Sequence, residues 1–421
     1  MHARSEITSA AGPALSALAS LAIVLLLILS LPVIAAARLL ALVVPKKKNL
    51  ILLMPRFGGA MNGNLKYFFL YLLQHHHGRD CEVYLIARRR ATVRSLRAEG
   101  LPVLFHPSVQ SIVMLLRAGT VVVESTDWWH WLKSLLAMRA RSFQIWHGNG
   151  MKNISITNKN FSGRLQRSRL LRWTIRWLNI YPTYDFVSFA SQLQLERRGA
   201  SFRMRSHLIN GQPRNDVLFG TDFGPLTTAT DSTALARLRA AAAHGKRIVL
   251  YSPTWRPPGD PQPAQVLDLD ELNAFALRHD LLIAWKAHPK DRCVVTHREA
   301  IVVIDKMADA YPLMQYVDCM VTDYSSIYMD FILLDRPVVF FPYDLDAYVA
   351  GRGLQHEYDE VSPGPKCHNQ SELQQILREV LVEGRDAWAS QRDHVRRQFY
   401  RYQDGRSCER LFKAIRECGA F

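Results

Sequence analysis

Short apolar runs recur along this chain, and segments long enough to form a helix separate them. Continuous Val/Ile/Leu runs are typical of parallel strands that helices cover on both faces. The sequence therefore predicts an α/β protein built on parallel sheets. Nine runs are predicted strands: Asn49–Met54, Cys81–Ile86, Thr120–Glu124, Phe143–Trp146, Arg247–Tyr251, Leu281–Lys286, Ile301–Ile304, Asp318–Thr322 and Pro337–Phe341.

A polar stretch rich in Ala and Thr divides this pattern of strands into two halves. The stretch, residues 219–245, contains glycines and a proline and therefore predicts an interdomain linker. A chain of 421 residues is long enough for two domains. We expect two doubly wound Rossmann-type domains that face one another across a cleft. The expected boundaries are 1–45 for an N-terminal membrane anchor, 46–218 for the first domain, 246–395 for the second domain and 396–421 for a C-terminal helix.

The N-terminus carries an apolar segment that is long enough to cross a membrane. No charged residue occurs from Gly12 to Ala37. As a helix, residues 14–37 would extend about 36 Å, against roughly 30 Å for a hydrocarbon core. Arg38 and the run Lys46–Lys48 follow, which places the remainder of the chain in the cytoplasm by the positive-inside rule. A cleaved signal peptide ending near Ala37 and a helix buried in the protein are the alternatives.

An excess of positive charge favours anionic partners. The chain has 53 Lys and Arg against 37 Asp and Glu, which gives a net charge of +16. From Met151 to Arg214, twelve Lys and Arg stand against only Asp185 and Glu196. Within that stretch, residues 164–178 combine arginines with tryptophans at helical spacing. This pattern indicates an interfacial membrane helix or, alternatively, a surface helix with its aromatic residues in the core.

Polar side chains follow several of the predicted strands, where doubly wound folds bind their ligands. In the first half, His147 stands at a strand end and Gly148 follows it. An imidazole there could accept a proton from a hydroxyl near neutral pH, and the alternative is a structural histidine. Arg214, in the run Pro213–Asp216, offers a guanidinium for a phosphate or belongs to a plain turn.

Three clusters follow strands of the second half. Pro253 and Thr254 lie in a proline-fixed turn, and Lys286 and His288 lie on the same side of an extended segment. The run Val321–Asp330 leads from a strand into a helix predicted to begin near Ser325. Backbone N–H groups and hydroxyls at such a helix start can bind phosphate. At each cluster the alternative is structural: a surface loop, a satisfied loop histidine and simple N-capping.

Together, these clusters resemble the CDP-glycerol glycerophosphotransferase family, which builds teichoic-acid and related poly(glycerol phosphate) chains. The resemblance covers nearly all of residues 45–415. It rests on the order of WHG at 146–148, PRND at 213–216, PTWR at 253–256, HP at 288–289 and TDYSS at 322–326. One departure concerns Asn149, Gly150 and Met151, which stand where the family usually has a Thr-Pro-Leu-like segment. The transferred unit is therefore left open among glycerol phosphate, ribitol phosphate and a related group.

The resemblance implies a GT-B fold and a reaction. Glycerol phosphate would pass from CDP-glycerol to a hydroxyl of a membrane-linked or polymeric acceptor, with release of CMP. By resemblance, His147 is the base, and His288 binds the diphosphate or assists the departure of CMP. The implied substrate-binding residues are Gly148, Asn149, Gly150, Met151, Arg214, Pro253, Thr254, Lys286, Ala287, Ser325, Ser326 and Asp330. Among them Arg214, Ser325 and Ser326 would hold phosphates, Pro253 and Thr254 the nucleotide, and Asp330 the donor.

No tightly bound cofactor is expected. The sequence shows no carboxylate cluster that demands a metal, and it leaves a loosely held Mg²⁺ open. The six cysteines form no CxxC pair, which fits reduced thiols. The expected partners are a CDP-alditol donor, a lipid-linked or polymeric acceptor and the cytoplasmic face of the inner membrane, with no nucleic acid. A transferase that uses CDP-ribitol or a nucleotide sugar, and a non-catalytic membrane-tethered binder of anionic polymer, are the alternatives.

Overall fold

A computed structural model describes residues 31–56, 61–125, 132–148, 183–224, 230–257, 259–291, 294–346, 348 and 358–418. Within these ranges the chain forms two parallel sheets flanked by helices, as the apolar runs predict. Each sheet is the centre of one Rossmann-like domain, so the expected α/β fold class is confirmed.

The first sheet has seven strands in the order β3-β2-β1-β4-β5-β6-β7, and every neighbouring pair is parallel. Its strands are β1 Lys47–Met54, β2 Glu82–Ala87, β3 Val103–Phe105, β4 Ala118–Val123, β5 Arg141–Gln144, β6 Tyr184–Phe189 and β7 Met204–Ile209. Its helices are α1 (31–43), α2 Gly63–His75, α3 Arg90–Ala98, α4 Val109–Arg117, α5 Lys133–Leu136 and α6 Gln192–Arg198. Short 3₁₀ helices cover Gly199–Ser201 and Pro213–Phe219.

The second sheet has five parallel strands in the order β10-β9-β8-β11-β12. Its strands are β8 Arg247–Tyr251, β9 Leu281–Trp285, β10 Ile301–Val303, β11 Cys319–Thr322 and β12 Val338–Phe340. The helices of this half are α7 Ser232–Ala243, α8 Pro263–Val266, α9 Leu269–Arg278, α10 Tyr311–Met314, α11 Ile327–Phe331, α12 Tyr358–Val361, α13 Gln370–Leu377, α14 Ala389–Phe399 and α15 Ser407–Glu417. A 3₁₀ helix at Ile332–Leu334 extends α11, and a π-helix at Arg378–Val382 extends α13.

The central strand β1 shows why the apolar runs are continuous. Ile51 and Leu53 pack into one hydrophobic cluster, whereas Leu50 and Leu52 pack into another cluster on the opposite face of the sheet. Alternate side chains of a strand point to opposite faces, so a sheet covered on both sides needs apolar residues at every position.

All nine predicted strands are confirmed, and their ends differ from the predicted ones by at most two residues. Three strands, β3, β6 and β7, were not predicted. β3 and β7 are the two edges of the first sheet, where a strand needs fewer apolar residues. In β7, Arg205 and His207 are exposed, and β6 carries Asp185 and Ser188. These sequences therefore lack the continuous apolar run by which the other strands were found.

Two segments differ from their expected place in the domain organisation. The region 219–245, predicted as a linker, contains α7, whose Leu238 packs in the core of the second domain. The Ala-rich sequence favours a helix, and the side chain of Asp231 caps that helix by accepting from Ala234 N at 2.9 Å. The C-terminal helix α15 returns to the first domain, where Leu411 and Ile415 join its core.

The N-terminal apolar segment lies mostly outside the described residues, because these begin at residue 31. The helix α1 contains the last part of that segment. Ile34, Ala37 and Ala41 are buried, and Ala37 and Ala41 belong to the core on one face of the first sheet. In the described part of the chain, no helix combines the length and the apolar character that a membrane crossing requires.

Candidate functional site

His147 lies just beyond the carboxyl end of β5, and its surroundings determine which ring nitrogen is basic. The ring nitrogen Nδ1 is 3.1 Å from the backbone oxygen of Glu124, at the end of the neighbouring strand β4. A carbonyl oxygen can only accept a hydrogen bond, so Nδ1 carries the proton and Nε2 keeps its lone pair. Burial, with a further contribution from the charge of Arg56, lowers the pKa of His147 to about 3. The imidazole is therefore neutral at physiological pH, the form that can accept a proton.

The residues on either side of His147 adopt backbone conformations that hold the turn. Trp146 has φ +42°, an uncommon value for a non-glycine residue, and its ring lies 4.1 Å from that of His147. Gly148 has φ +131°. A Cβ atom at Gly148 would stand 2.5 Å from Nη2 of Arg214, so only glycine lets this guanidinium approach the backbone.

Arg214 joins the loop of His147 to the second domain. Its Nη1 donates to the backbone oxygen of His147 at 2.7 Å, and its Nη2 pairs with Asp330 at 2.5 Å. Asp330 also accepts from the hydroxyls of Tyr311 at 2.5 Å and Tyr400 at 2.6 Å. The two charged side chains are almost completely buried. The structure thus brings Arg214 and Asp330 together as an interdomain ion pair, and their roles toward phosphate and donor stay predictions.

A second buried pair connects the domains close by. Asp309 accepts from Nζ of Lys66 at 2.7 Å and from the hydroxyl of Tyr67 at 2.8 Å, both on α2 of the first domain. Asp309 follows β10, and Asp330 lies on α11, which follows β11. At these two ion pairs, residues that follow strands of the second sheet contact the first domain, so the two sheets meet at their carboxyl edges.

In the second domain, the clusters after β8 and β11 are bound to one another. The backbone N–H of Thr254 donates to both carboxylate oxygens of Asp323 at 2.9 and 3.0 Å. Arg256 pairs with Asp323 at 2.9 Å and with Asp344 at 2.5 Å, and it is 2% exposed. The guanidinium of Arg256 therefore fixes the turn that contains Pro253. The hydroxyl oxygen of Thr254 is buried and makes no hydrogen bond within the described residues.

Lys286, Ala287 and His288 follow β9. Nζ of Lys286 donates to the backbone oxygen of Lys306 at 2.7 Å, and burial lowers the pKa of Lys286 to about 8. The backbone N–H of Lys290 donates to Nδ1 of His288 at 3.1 Å. Because Nδ1 accepts, the proton of the neutral ring is on Nε2. The neutral ring of His288 thus has the opposite tautomer to that of His147.

The predicted phosphate site at Ser325 and Ser326 lies at the start of a short helix. α11 begins at Ile327, two residues later than predicted, and spans five residues. Ser325 is half-buried and Ser326 is exposed, and the side chain of Ser326 makes no capping hydrogen bond. Both serines therefore lie near the Thr254 turn, because Asp323, two residues before Ser325, is bonded to that turn.

Three predicted site residues, Asn149, Gly150 and Met151, lie outside the described residues, as does the basic segment 164–178. In the part of the chain that is described, no three His, Cys, Asp or Glu side chains form a group that could hold a metal ion. Cys81, Cys319, Cys367, Cys408 and Cys418 are free thiols.

Two residues beside His147 were not predicted as site residues. Glu124 is fully buried, its Oε1 lies 3.4 Å from the backbone N of Leu65, and burial raises its pKa to about 7. Arg198, at the end of α6, donates from Nη1 to the backbone oxygen of Gly148 at 3.1 Å. Glu124 could have been found from the sequence, because it is a carboxylate that directly follows an apolar strand in the run Val121–Glu124. Arg198 was visible only as one of many cations in a basic stretch.

Comparisons with known proteins show which family this chain resembles over most of its length. A family model described as CDP-glycerol:poly(glycerophosphate) glycerophosphotransferase matches residues 36–417. The chain is 26% identical over 320 residues to the teichoic acid glycerol-phosphate primase of Bacillus spizizenii, covering 73% of this chain and 76% of that protein. It is 23% identical over 240 residues to the teichoic acid ribitol-phosphate polymerase TarL of Staphylococcus aureus, covering 55% of this chain and 41% of TarL.

The structure is similar in fold to the wall teichoic acid polymerase TagF. The TM-score is 0.67 with 21% identity, and the match covers 91% of this chain and 93% of the TagF chain. The α/β fold with parallel sheets is thus shared with TagF, in line with the expected GT-B-like fold. This chain spans about three quarters of the primase but less than half of TarL.

Proposed function

Since the chain belongs to the CDP-glycerol:poly(glycerophosphate) glycerophosphotransferase family, we propose that it transfers glycerol phosphate from CDP-glycerol to an acceptor hydroxyl. The acceptor oxygen attacks the β-phosphorus in line with the bond to the bridging oxygen. The new bond joins the acceptor oxygen to the β-phosphorus, and CMP leaves with the electron pair of the broken bond. Catalysis of this kind consists mainly of positioning and of stabilising negative charge.

His147 is the proposed base. Its Nε2 holds the lone pair because Nδ1 donates to the backbone oxygen of Glu124, and burial keeps the ring neutral. The proton of the acceptor hydroxyl passes to Nε2 as the oxygen attacks. General base catalysis of this type typically contributes a factor of about 10²–10⁴ to the rate.

His288 and Lys286 are the proposed partners of the diphosphate. The Nε2–H of His288 donates to an oxygen of the diphosphate and stabilises the departing CMP. Lys286 adds a positive charge from the same strand end. Ser325 and Ser326 would donate their hydroxyls to phosphate oxygens, and Pro253, Thr254 and Ala287 would line the nucleotide pocket.

The observation that carries the proposal is the opposite tautomers of the two histidines on facing domains. In the first domain Nε2 of His147 keeps its lone pair, and in the second domain Nε2 of His288 carries the proton. The test is CMP release from CDP-glycerol with a glycerol-phosphate-primed acceptor. His147→Ala and His288→Ala should each lower kcat by at least about 10²-fold, whereas His394→Ala, on the exposed surface of α14, should leave it unchanged. Full activity in both active-site variants would contradict the assigned roles.

The transferred unit is proposed as glycerol phosphate, with ribitol phosphate as the competing donor group. The relatives include a glycerol-phosphate primase and a ribitol-phosphate polymerase. Mass analysis of products made from CDP-glycerol and from CDP-ribitol separates the two. Thermal protection by UDP-sugars instead of CDP-alditols would favour a sugar transferase. Ligand binding without any turnover would favour a non-catalytic binder of anionic polymer.

The membrane is the proposed location, with both domains on the cytoplasmic face and a lipid-linked or polymeric acceptor. Support comes from α1, which buries Ile34, Ala37 and Ala41 against the domain. Every residue that α1 exposes is apolar: Pro32, Val33, Ala35, Ala36, Leu39, Leu40, Leu42 and Val43. A helix in water normally has a polar outer face, so an entirely apolar one favours contact with lipid.

The lipid contact can be tested with a photoreactive phenylalanine analogue in the full-length protein bound to phospholipid vesicles. At Leu39, on the exposed face of α1, it should crosslink to lipid acyl chains. At Leu277, an exposed leucine of α9 in the second domain, it should not. Crosslinking of Leu39 only to protein would contradict the membrane contact.

A further inference from the structure

Like Lys286, whose Nζ donates to backbone oxygens, Arg198 is a buried cation without a carboxylate partner in the described part of the chain. Lys66, Arg214, Arg256 and Arg392 are also buried, and each has one within 2.9 Å: Asp309, Asp330, Asp323 and Asp386 respectively. Arg198 is 9% exposed and forms no ion pair with any described residue. Burial of an unpaired charge is costly, so an unpaired guanidinium at a buried position suggests that an anionic ligand pairs with it.

The position of Arg198 places that missing anion next to His147. Its Nη1 donates to the backbone oxygen of Gly148, the residue after His147. Its Nη2 is buried and has no hydrogen-bond partner within the described residues. Its charge also acts on His147, where it contributes to the lowered pKa of the imidazole.

Further polar groups without partners lie at the same edge of the first sheet. Asn210 directly follows β7, is 5% exposed, and neither its amide oxygen nor its amide nitrogen makes a hydrogen bond within the described part of the chain. Oε2 of Glu124, after β4, is likewise buried without a partner there. Buried polar groups are normally paired, so this edge is built to receive a polar ligand.

We infer that Arg198 binds a phosphate of the acceptor chain end and so places the neighbouring acceptor hydroxyl against Nε2 of His147. The ligand class is the phosphate ester of a polyol phosphate acceptor. A guanidinium suits it because two N–H groups can bind two phosphate oxygens. This inference rests on the proposed function. It assigns to the first domain a phosphate site separate from the diphosphate site that Lys286 and His288 form on the second.

The site would also explain how the enzyme selects its acceptor. A hydroxyl that is attached to a phosphate ester would be bound at two points, at Arg198 and at His147. A neutral hydroxyl of similar size would be bound only at His147. The expected result is a preference for acceptors that already end in a polyol phosphate.

The test is steady-state kinetics of the full-length protein with CDP-glycerol and two matched acceptors, one ending in glycerol phosphate and one in a neutral glycerol ether. In Arg198→Gln, the KM for the phosphate-ended acceptor should rise roughly 10- to 100-fold, the loss expected for charged hydrogen bonds. The KM for CDP-glycerol should change less than about twofold, and the KM for the neutral acceptor should rise much less than that for the phosphate-ended acceptor. The KM of Arg198→Lys for the phosphate-ended acceptor should be intermediate, because lysine keeps the positive charge but lacks the planar guanidinium that can donate two parallel hydrogen bonds. Arg205→Gln, which removes an exposed arginine of β7, is the matched control.

Two outcomes would overturn the inference. A higher KM for CDP-glycerol with an unchanged KM for the acceptor would assign Arg198 to the donor diphosphate. An equal loss with both acceptors would make Arg198 a structural residue, and unfolding curves of Arg198→Lys and Arg198→Gln would then show a shared loss of stability. The same assay measures turnover by the wild type. If the wild type releases no CMP, the proposed function itself is refuted, whereas a failure of the Arg198 variants alone refutes only the phosphate site.

Discussion

Asp330→Asn tests whether the interdomain ion pair is a structural element or a donor contact. The substitution keeps the size of the side chain and removes its charge, which leaves the buried guanidinium of Arg214 without a counter-ion. Asp330 accepts three hydrogen bonds of 2.5–2.6 Å, from Arg214, Tyr311 and Tyr400. Loss of one partner of a buried pair typically costs about 3–5 kcal/mol. We therefore expect the free energy of unfolding to fall by that amount.

Urea denaturation measures this change in the free energy of unfolding. Steady-state kinetics with CDP-glycerol tests the alternative, that Asp330 contacts the donor. Asp280→Asn is the control, because Asp280 pairs with Lys246 at 3.1 Å on the surface and is 70% exposed. An exposed pair contributes about 0–1 kcal/mol, so the control should be nearly neutral. Stability within about 1 kcal/mol of the wild type, together with a raised KM for CDP-glycerol, would refute the structural interpretation and make Asp330 a donor contact.

Three further variants test the rest of the site. Gly148→Ala should lower both the free energy of unfolding and kcat, because the new Cβ would lie 2.5 Å from Arg214. The control is Gly100→Ala, at φ +78° with open space around it, which should cost only backbone strain of about 1–3 kcal/mol. Equal losses of stability in urea denaturation would contradict the contact between residue 148 and Arg214. The kcat/KM for CDP-glycerol should fall as pH rises through about 8, where Lys286 loses its proton in the free enzyme. Lys286→Arg should remove that decline. An identical pH profile for the wild type and Lys286→Arg would exclude Lys286 as the cation that binds the diphosphate. Glu124→Gln should stabilise the fold above pH 7. Because the pKa of Glu124 is raised to about 7, the free energy of unfolding of the wild type should fall by about 3 kcal/mol between pH 4.5 and about 7 and no further above that pH. An equal pH dependence of unfolding in the variant and the wild type would contradict this prediction.

The architecture could be predicted because burial on both faces of a parallel sheet leaves a strong signal. Leu50 to Leu53 are all apolar because alternate side chains pack into different cores. The edge strand β7 gave no such signal, since its exposed residues include Arg205 and His207. The helix α7 was interpreted as linker because its sequence is polar and Ala-rich, with Leu235 and Leu238 as its only large apolar residues.

The strand-end rule selected His147, His288 and Lys286, and the structure shows that each of them follows a parallel strand, while their roles stay predictions. The sequence did not show that Arg214 and Asp330 pair with one another, because 116 positions separate them in the chain. It also could not distinguish Arg198 from the other arginines of its basic stretch, since only the fold shows that its guanidinium is buried without a carboxylate partner among the described residues.

Glycerol phosphate transfer with His147 as base is tested most directly by the mass of the acceptor after reaction with CDP-glycerol. For the wild type, each CMP released should accompany the gain of one glycerol phosphate unit on the acceptor, and His147→Ala should lose both in parallel by at least about 10²-fold. CMP released without any gain in acceptor mass, or an unchanged mass gain in His147→Ala, would contradict it.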